Sequence, residues 1–368
     1  MMSCSKRDST IDIAKALGIL LVVFGHALET AFVRGDTFTS IVFYPWKFIY
    51  SFHMPLFFIL SGMVFTYSTK REIYKATALL VMIAIIVHVI GWFLSITIHP
   101  IQFNMRQLII PILTLADFST VVIWFLVAIA LVKLIYYIYF KSTLLIKIYI
   151  IIILTAAYAL NQINEWRYFQ IGSILPGFLF YYVGHLIAVR KLLYKVPIDR
   201  MKILVLFGLI LMCFLVPLNQ GCNINSESLC SNYYGRFGVM MVKGKLGFLP
   251  LFFLTAIIGC VIVLYISAIL ESSDFYLKTW LTMLGKKTMP LIIFNGIALV
   301  FVQPYITQLI FTTPNFFSMI FFATLFTAFQ ILLLPVFEQM TKPIVYSSQY
   351  IVDHFIKYDI RNSVNNPN

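Results

Sequence analysis

The sequence predicts an all-α, polytopic integral membrane protein of about ten transmembrane helices with both termini cytoplasmic. Three observations carry this. The chain is 61% hydrophobic and 11% charged, with a mean hydropathy of +0.92, where a soluble chain carries roughly 25% charged residues. Apolar runs of roughly 17–25 residues, the length of a helical crossing, alternate with short polar clusters. Basic residues concentrate in every second polar cluster, as the positive-inside rule requires.

Taken in order, the first run, 11–33, follows Lys6-Arg7 and holds Asp12 and Lys15. It shows no small-residue cleavage site and many spans come after it, so it reads as a retained helix and not a signal peptide. The second, 42–67, carries His53 beside Pro55, where a helix can bend and free backbone groups. The next spans are 76–98, 118–140, 143–161, 171–189, 203–219, 246–270, 289–312 and 316–341. One set of polar segments holds Lys6 and Arg7; Lys70, Arg71 and Lys75; Lys141; Arg190, Lys191, Lys195, Arg200 and Lys202; Lys278, Lys286 and Lys287; and Lys342, Lys357 and Arg361. The opposite set holds Arg34, Arg106, Arg167, Arg236, Lys243 and Lys245. This asymmetry places both termini in the cytoplasm and the 220–245 loop outside. Cys222 and Cys230 share that loop and can pair if it faces an oxidising compartment. There is no internal repeat and no soluble domain. Residues 1–345 form one transmembrane domain, and 346–368 a cytoplasmic tail.

The net charge of +13 does not point to nucleic acid, because the Lys and Arg residues sit between apolar runs and serve topology and anionic ligands. The 35 Phe and 21 Tyr residues belong to lipid-facing and packing surfaces. The cysteines form no metal-type cluster, and no metal is expected.

The first helix concentrates ionisable residues. Lys15 and His26 are eleven residues apart, which is about 1100°, or about 20° after whole turns, so they share a face about 16 Å apart along the axis. Asp12 lies one turn before Lys15 and Glu29 one turn beyond His26. An ionisable residue near the bilayer centre costs at least about 2.5–3.5 kcal/mol on insertion scales, so this stripe lines a wet or protein-filled cavity. The competing reading is snorkelling of Asp12, Lys15 and Glu29 to the interfaces. Histidine suits proton transfer near neutral pH, and Glu29 is spaced to fix the tautomer of His26.

Several stretches together resemble the acyltransferase-3 family of membrane O-acyltransferases, particularly its fucose-4-O-acetylase-like and O-antigen acetylase members, over most of the chain. They are Arg7-Asp8-x-x-Ile11-Asp12 through Gly25-His26; Phe52-His53-Met54-Pro55-Leu56-Phe57-Phe58-Ile59-Leu60-Ser61-Gly62, followed by Lys70 and Arg71; Trp124-Phe125-Leu126; and Gly285-Lys286-Lys287-Thr288. The chain departs from the family at Asn295, where members often carry histidine; no catalytic role is carried to it. The resemblance implies transfer of acetyl from cytoplasmic acetyl-CoA to a hydroxyl of a cell-envelope carbohydrate, in a bacterial inner membrane. His26 is then the expected general base, with Lys15 toward the charged part of the donor, and His53 is expected to orient the acceptor or stabilise the oxyanion. Donor contacts are expected at Lys15, Ser61, Lys70, Arg71, Lys286 and Lys287, the last two before a helix N-terminus that suits phosphate. Positive-inside charge explains the same basic residues without a ligand.

Trp166 and Arg167, with Tyr233, Tyr234 and Arg236, are candidates for an outer acceptor platform, although interfacial aromatic belts are common. His185 reads as interfacial, Trp124 as packing, and His88 and His99 carry no distinguishing context. The rival functions are a transporter or flippase using Asp12, Lys15 and His26 as an ion path, and a glycan polymerase. Against the first stand the missing repeat and the lack of matched broken helices; against the second stands the clustering of marked residues in the first two helices.

Overall fold

The computed structural model describes residues 8–34, 40–65, 69–98, 104–164, 166–219, 239–273, 276–302 and 316–365. Among these the chain is helical without a strand, and Met240 and Lys245 form an isolated bridge. The helices are α1 (Ser9–Arg34), α2 (Ser40–Tyr50), α3 (His53–Met63), α4 (Lys70–Ile98), α5 (Met105–Thr114), α6 (Trp124–Lys141), α7 (Leu144–Asn164), α8 (Ile171–Val189) and α9 (Ile198–Leu218). They continue with α10 (Leu249–Glu271), α11 (Tyr276–Gly285), α12 (Thr288–Ile297), α13 (Phe316–Leu332) and α14 (Leu334–Asn365). The expected boundary at 345–346 falls inside α14.

Among the described residues seven helices are long and apolar enough to cross a membrane. The count reaches nine if two bent pairs each make one span: α11 with the segment 288–302, bent by 66°, and α13 with α14, bent by 59°. The expected ten is therefore not met by length and composition. The shortfall is the run 42–67, which folds as two short helices. Pro45 lies inside α2 and Pro55 in the first turn of α3, and between them Phe52 takes φ −144° and ψ −15°. The chain breaks there because proline cannot donate to the helical ladder and crowds the preceding turn. The break satisfies its own backbone: the Phe52 N–H reaches the Ile49 carbonyl and the Leu56 N–H the Phe52 carbonyl, which is how a break survives within a membrane.

α1 is the central helix, packed by α2, α3, α10, α11, α12 and α13. In its apolar window 61% of residues are buried, against 17% in α7, which turns residues such as Ile152 and Ile153 outward. Such all-round apolar helices suit a lipid boundary. Asp8 caps α1, accepting from the Thr10 backbone N–H at 2.9 Å, which gives the Arg7-Asp8 motif a local structural cause.

Lipid tails are as apolar as the helices, so close backbone approach holds the interior together. The α3–α8 contact depends on it. A Cβ on Gly62 would stand 2.0 Å from the Tyr181 carbonyl oxygen, and one on Gly184 2.0 Å from that of Ile59. Gly259 of α10 receives the Phe52 ring, where a Cβ would come within 2.3 Å of it, and Cys260 Sγ lies 3.6 Å from the Phe52 carbonyl. The break before His53 is thus seated in a notch on α10.

Candidate functional site

His53 is the first residue of α3, and the α2–α3 break supplies its partner. Its Nδ1 donates to the carbonyl of Ile49 at 2.9 Å. A carbonyl only accepts, so the proton sits on Nδ1 and the lone pair on Nε2. The ring is 2% exposed. A neutral His53 with this tautomer can accept from an acceptor hydroxyl; it cannot donate to an oxyanion.

Tyr50, three residues earlier, stands between the two histidines. Its ring centroid is 4.6 Å from that of His53 and 6.2 Å from that of His26. Gly25, next to His26, leaves room for it: a Cβ there would meet the Tyr50 ring at 3.2 Å. The Tyr50 hydroxyl donates to Glu29 Oε2.

His26 is half-buried, and its Nδ1 lies 2.7 Å from Oδ1 of Asn295 on α12. Asn295 is fully buried, and its Nδ2 donates to Gln330 Oε1 of α13 at 3.3 Å. With the amide oxygen turned to His26, Nδ1 must be the donor and Nε2 carries the lone pair. The place at Nδ1 that spacing offered to Glu29 is taken by Asn295. The physical reason is that Glu29 is already engaged by Tyr50, whereas α12 delivers an amide oxygen directly to the ring. Asn295, Gln330 and Tyr50 were not singled out as site residues, and helical periodicity holds no signal for them: His26 and Asn295 are separated by 269 residues. The π-helix Ala298–Val302 begins three residues after Asn295, a local geometry frequent at functional sites.

Toward the N-terminal end of α1, Lys15 Nζ lies 3.9 Å from Oδ1 of the buried Asp12. Gly285 closes α11 against this turn, where a Cβ would stand 1.8 Å from the Asp12 carbonyl oxygen. That contact brings Lys286 and Lys287 beside Asp12 and Lys15. Lys287 forms an ion pair with Glu338 of α14 at 2.7 Å, and Lys286 is exposed. Lys70 and Arg71 are exposed in the first turn of α4, and Lys75 pairs with Asp353 of α14 at 2.7 Å. Glu338 and Asp353 are fifteen residues apart, about 22 Å along a helix, so the two basic groups do not meet at one point. Ser61 is half-buried on α3 beside the Gly62–Tyr181 contact, about 12 Å along the helix from His53.

His185, four residues from the end of α8, is buried among the rings of Phe65, Tyr136 and Phe140, with centroids 5.3, 5.7 and 5.6 Å away. Trp124 packs in the core. Arg167 pairs with Asp117 at 3.1 Å, and Trp166 is exposed. His99, Cys222, Cys230, Tyr233, Tyr234 and Arg236 lie outside the described residues.

The site therefore has two histidines with their lone pairs on Nε2, a tyrosine–glutamate pair between and beside them, and a basic turn further down α1. Such a set can take a proton from a hydroxyl and hold an anionic co-substrate. Residues 8–333 match a family model described as an acyltransferase domain. A 65-residue stretch is 45% identical to the nodulation protein NolL of Sinorhizobium fredii (strain NBRC 101917 / NGR234), covering 16% of this chain and 17% of that protein. No solved structure matches the chain. A match that takes in both histidines, the basic turn and Asn295 shows that the chain belongs to the acyltransferase-3 family.

Proposed function

We propose that this membrane acyltransferase moves acetyl from cytoplasmic acetyl-CoA to a hydroxyl of a cell-envelope carbohydrate, with His26 as general base. The reading draws most on the His26–Asn295 bond of 2.7 Å, which leaves Nε2 unprotonated. In this scheme Nε2 takes the proton of the acceptor hydroxyl while its oxygen attacks the thioester carbonyl. The C–S bond breaks, the imidazolium returns the proton to sulfur, and the products are an O-acetyl ester and the free thiol of CoA. An acetyl-His26 intermediate would use the same lone pair as nucleophile. His53, whose Nε2 also only accepts, takes a hydrogen bond from a neighbouring hydroxyl of the sugar and so orients the acceptor.

The donor enters from the end where Lys15, Lys286 and Lys287 gather beside Gly285. Lys15 lies about 16 Å below His26 along the helix, comparable with an extended pantetheine arm. Lys70 and Arg71, whose group pairs about 22 Å further along α14, would meet a part of the donor other than the one at Lys286, and Ser61 the donor's path between the helices. This orientation puts both termini in the cytoplasm of a bacterial inner membrane and follows the basic-residue asymmetry.

The test is acetyl transfer from radiolabelled acetyl-CoA to lipid-linked and polymeric glycans by purified wild-type protein and His26→Ala. Label on a glycan with wild type and none with the folded variant is expected. Equal labelling by the two proteins refutes the role given to His26. No label with either, across a broad acceptor panel, refutes the carbohydrate reading.

A further inference from the structure

The sequence left His88 without a role. His88 joins three pieces of chain at the far end of α4. The Ser119 backbone N–H donates to its Nδ1 at 3.0 Å, and its Nε2 donates to the carbonyl of Leu108 on α5 at 3.1 Å. The Ser119 hydroxyl in turn donates to the carbonyl of His88 at 2.8 Å. Three turns of structure are fixed to one ring, and they wall a cavity of about 400 Å³.

We propose that this cavity is a carbohydrate subsite holding the sugar next to the one acetylated. The inference rests on the carbohydrate reading of the acceptor and gives that acceptor a second point of attachment. The lining is Trp92, Ser95, Arg106, Gln107, Asp117 and Ser119, with Ile110 and Pro111 completing the wall. A pyranose has apolar C–H faces and a rim of hydroxyls that both donate and accept. The indole and the apolar wall suit the faces, Arg106 and Gln107 donate to the rim, and Asp117 accepts from it, as do the oxygens of Ser95 and Ser119, whose hydroxyl protons go to the carbonyls of Gly91 and His88. A phosphate or nucleotide fits less well, because Asp117 opposes an anion and Arg167 is already paired with Asp117 at 3.1 Å. The volume lies within the range of small-ligand sites, about 300–1,000 Å³.

The position links the cavity to the chemistry. After Ser119 comes Thr120, which packs on Gly296: a Cβ there would lie 3.5 Å from that of Thr120. Gly296 follows Asn295, the partner of His26. Thr120 is fully buried, and its Oγ1 has no hydrogen-bond partner among the described residues. On the other flank α5 exposes Met105, Ile109 and Leu113. That spacing is one helical face, and an exposed apolar face on a short helix lies in the bilayer surface. The cavity thus opens at the level where a glycan, free or lipid-linked, meets the membrane.

The test uses full-length purified protein and the double variant Arg106→Ala/Gln107→Ala, whose side chains are exposed. The readout is kcat/KM for an oligosaccharide acceptor divided by that for the matching monosaccharide. Loss of two polar contacts lowers this ratio about ten-fold, while Lys202→Ala, remote from both sites, keeps the wild-type ratio. Soluble and lipid-linked oligosaccharides shift alike. An unchanged ratio overturns the subsite and leaves the carbohydrate reading standing; a shift confined to lipid-linked acceptors also overturns it, because the cavity then reads the carrier. If wild type acetylates no glycan at all, the carbohydrate reading falls and the subsite with it.

Discussion

Replacing Asn295 with alanine removes the oxygen that holds His26 Nδ1 at 2.7 Å. In the ground state this is a neutral pair with a net worth of about 1 kcal/mol. As His26 takes a proton the ring becomes an imidazolium, and the same bond becomes charge-assisted, worth about 1.5–3 kcal/mol. Only the difference, about 0.5–2 kcal/mol, falls on the chemical step, so kcat drops about 2- to 30-fold. The residue acts through His26, so a merely structural role has to be separated. Asn295→Asp keeps an oxygen at Nδ1 and is expected to retain more activity than Asn295→Ala. The assay is initial-rate acetyl transfer at saturating acetyl-CoA, with thermal unfolding of each variant followed in the same detergent. A kcat for Asn295→Ala within two-fold of wild type, or no advantage for Asn295→Asp, refutes the orienting role.

Two further predictions concern packing and the donor. Gly184→Ala forces a methyl to 2.0 Å from the Ile59 carbonyl oxygen, a backbone clash expected to cost at least about 1–3 kcal/mol. Gly208→Ala meets only side chains, Ile262 at 3.1 Å and Ile258 at 3.5 Å, so a thermal-shift assay should show the larger loss for Gly184→Ala; equal shifts refute the account of the α3–α8 contact. Lys286→Ala should raise KM for acetyl-CoA about ten-fold through loss of a charge-assisted phosphate contact, with thermal stability unchanged. Lys287→Ala also breaks the half-exposed pair with Glu338, adding a stability loss of at most about 1 kcal/mol. An unchanged KM for both variants refutes phosphate binding at this turn.

Much of the fold was legible because the bilayer constrains the chain so strongly. Backbone groups in hydrocarbon must be satisfied within a helix, so apolar runs report helices directly, and 144–164 and 249–271 lie close to where hydropathy puts them. The placement of Lys15 and His26 on one face was legible too, since the periodicity of a single helix is a local property. Hydropathy did not reveal the break at Ser51-Phe52, because it averages over a window and is blind to how Gly259 seats Phe52. It gave bends of 66° and 59° no signature either.

The sequence by itself determined that this chain lies in a membrane as a helical bundle, and that its first helix carries a histidine and a lysine in line. Only the tertiary structure decided what completes the site. Asn295 reaches His26 across 269 residues, Tyr50 engages Glu29, and Gly285 seats the Lys286-Lys287 turn against the backbone of Asp12. The physical reason is that contacts between helices depend on which small residue lets which backbone come close, and that pairing leaves no mark on the periodicity of either helix.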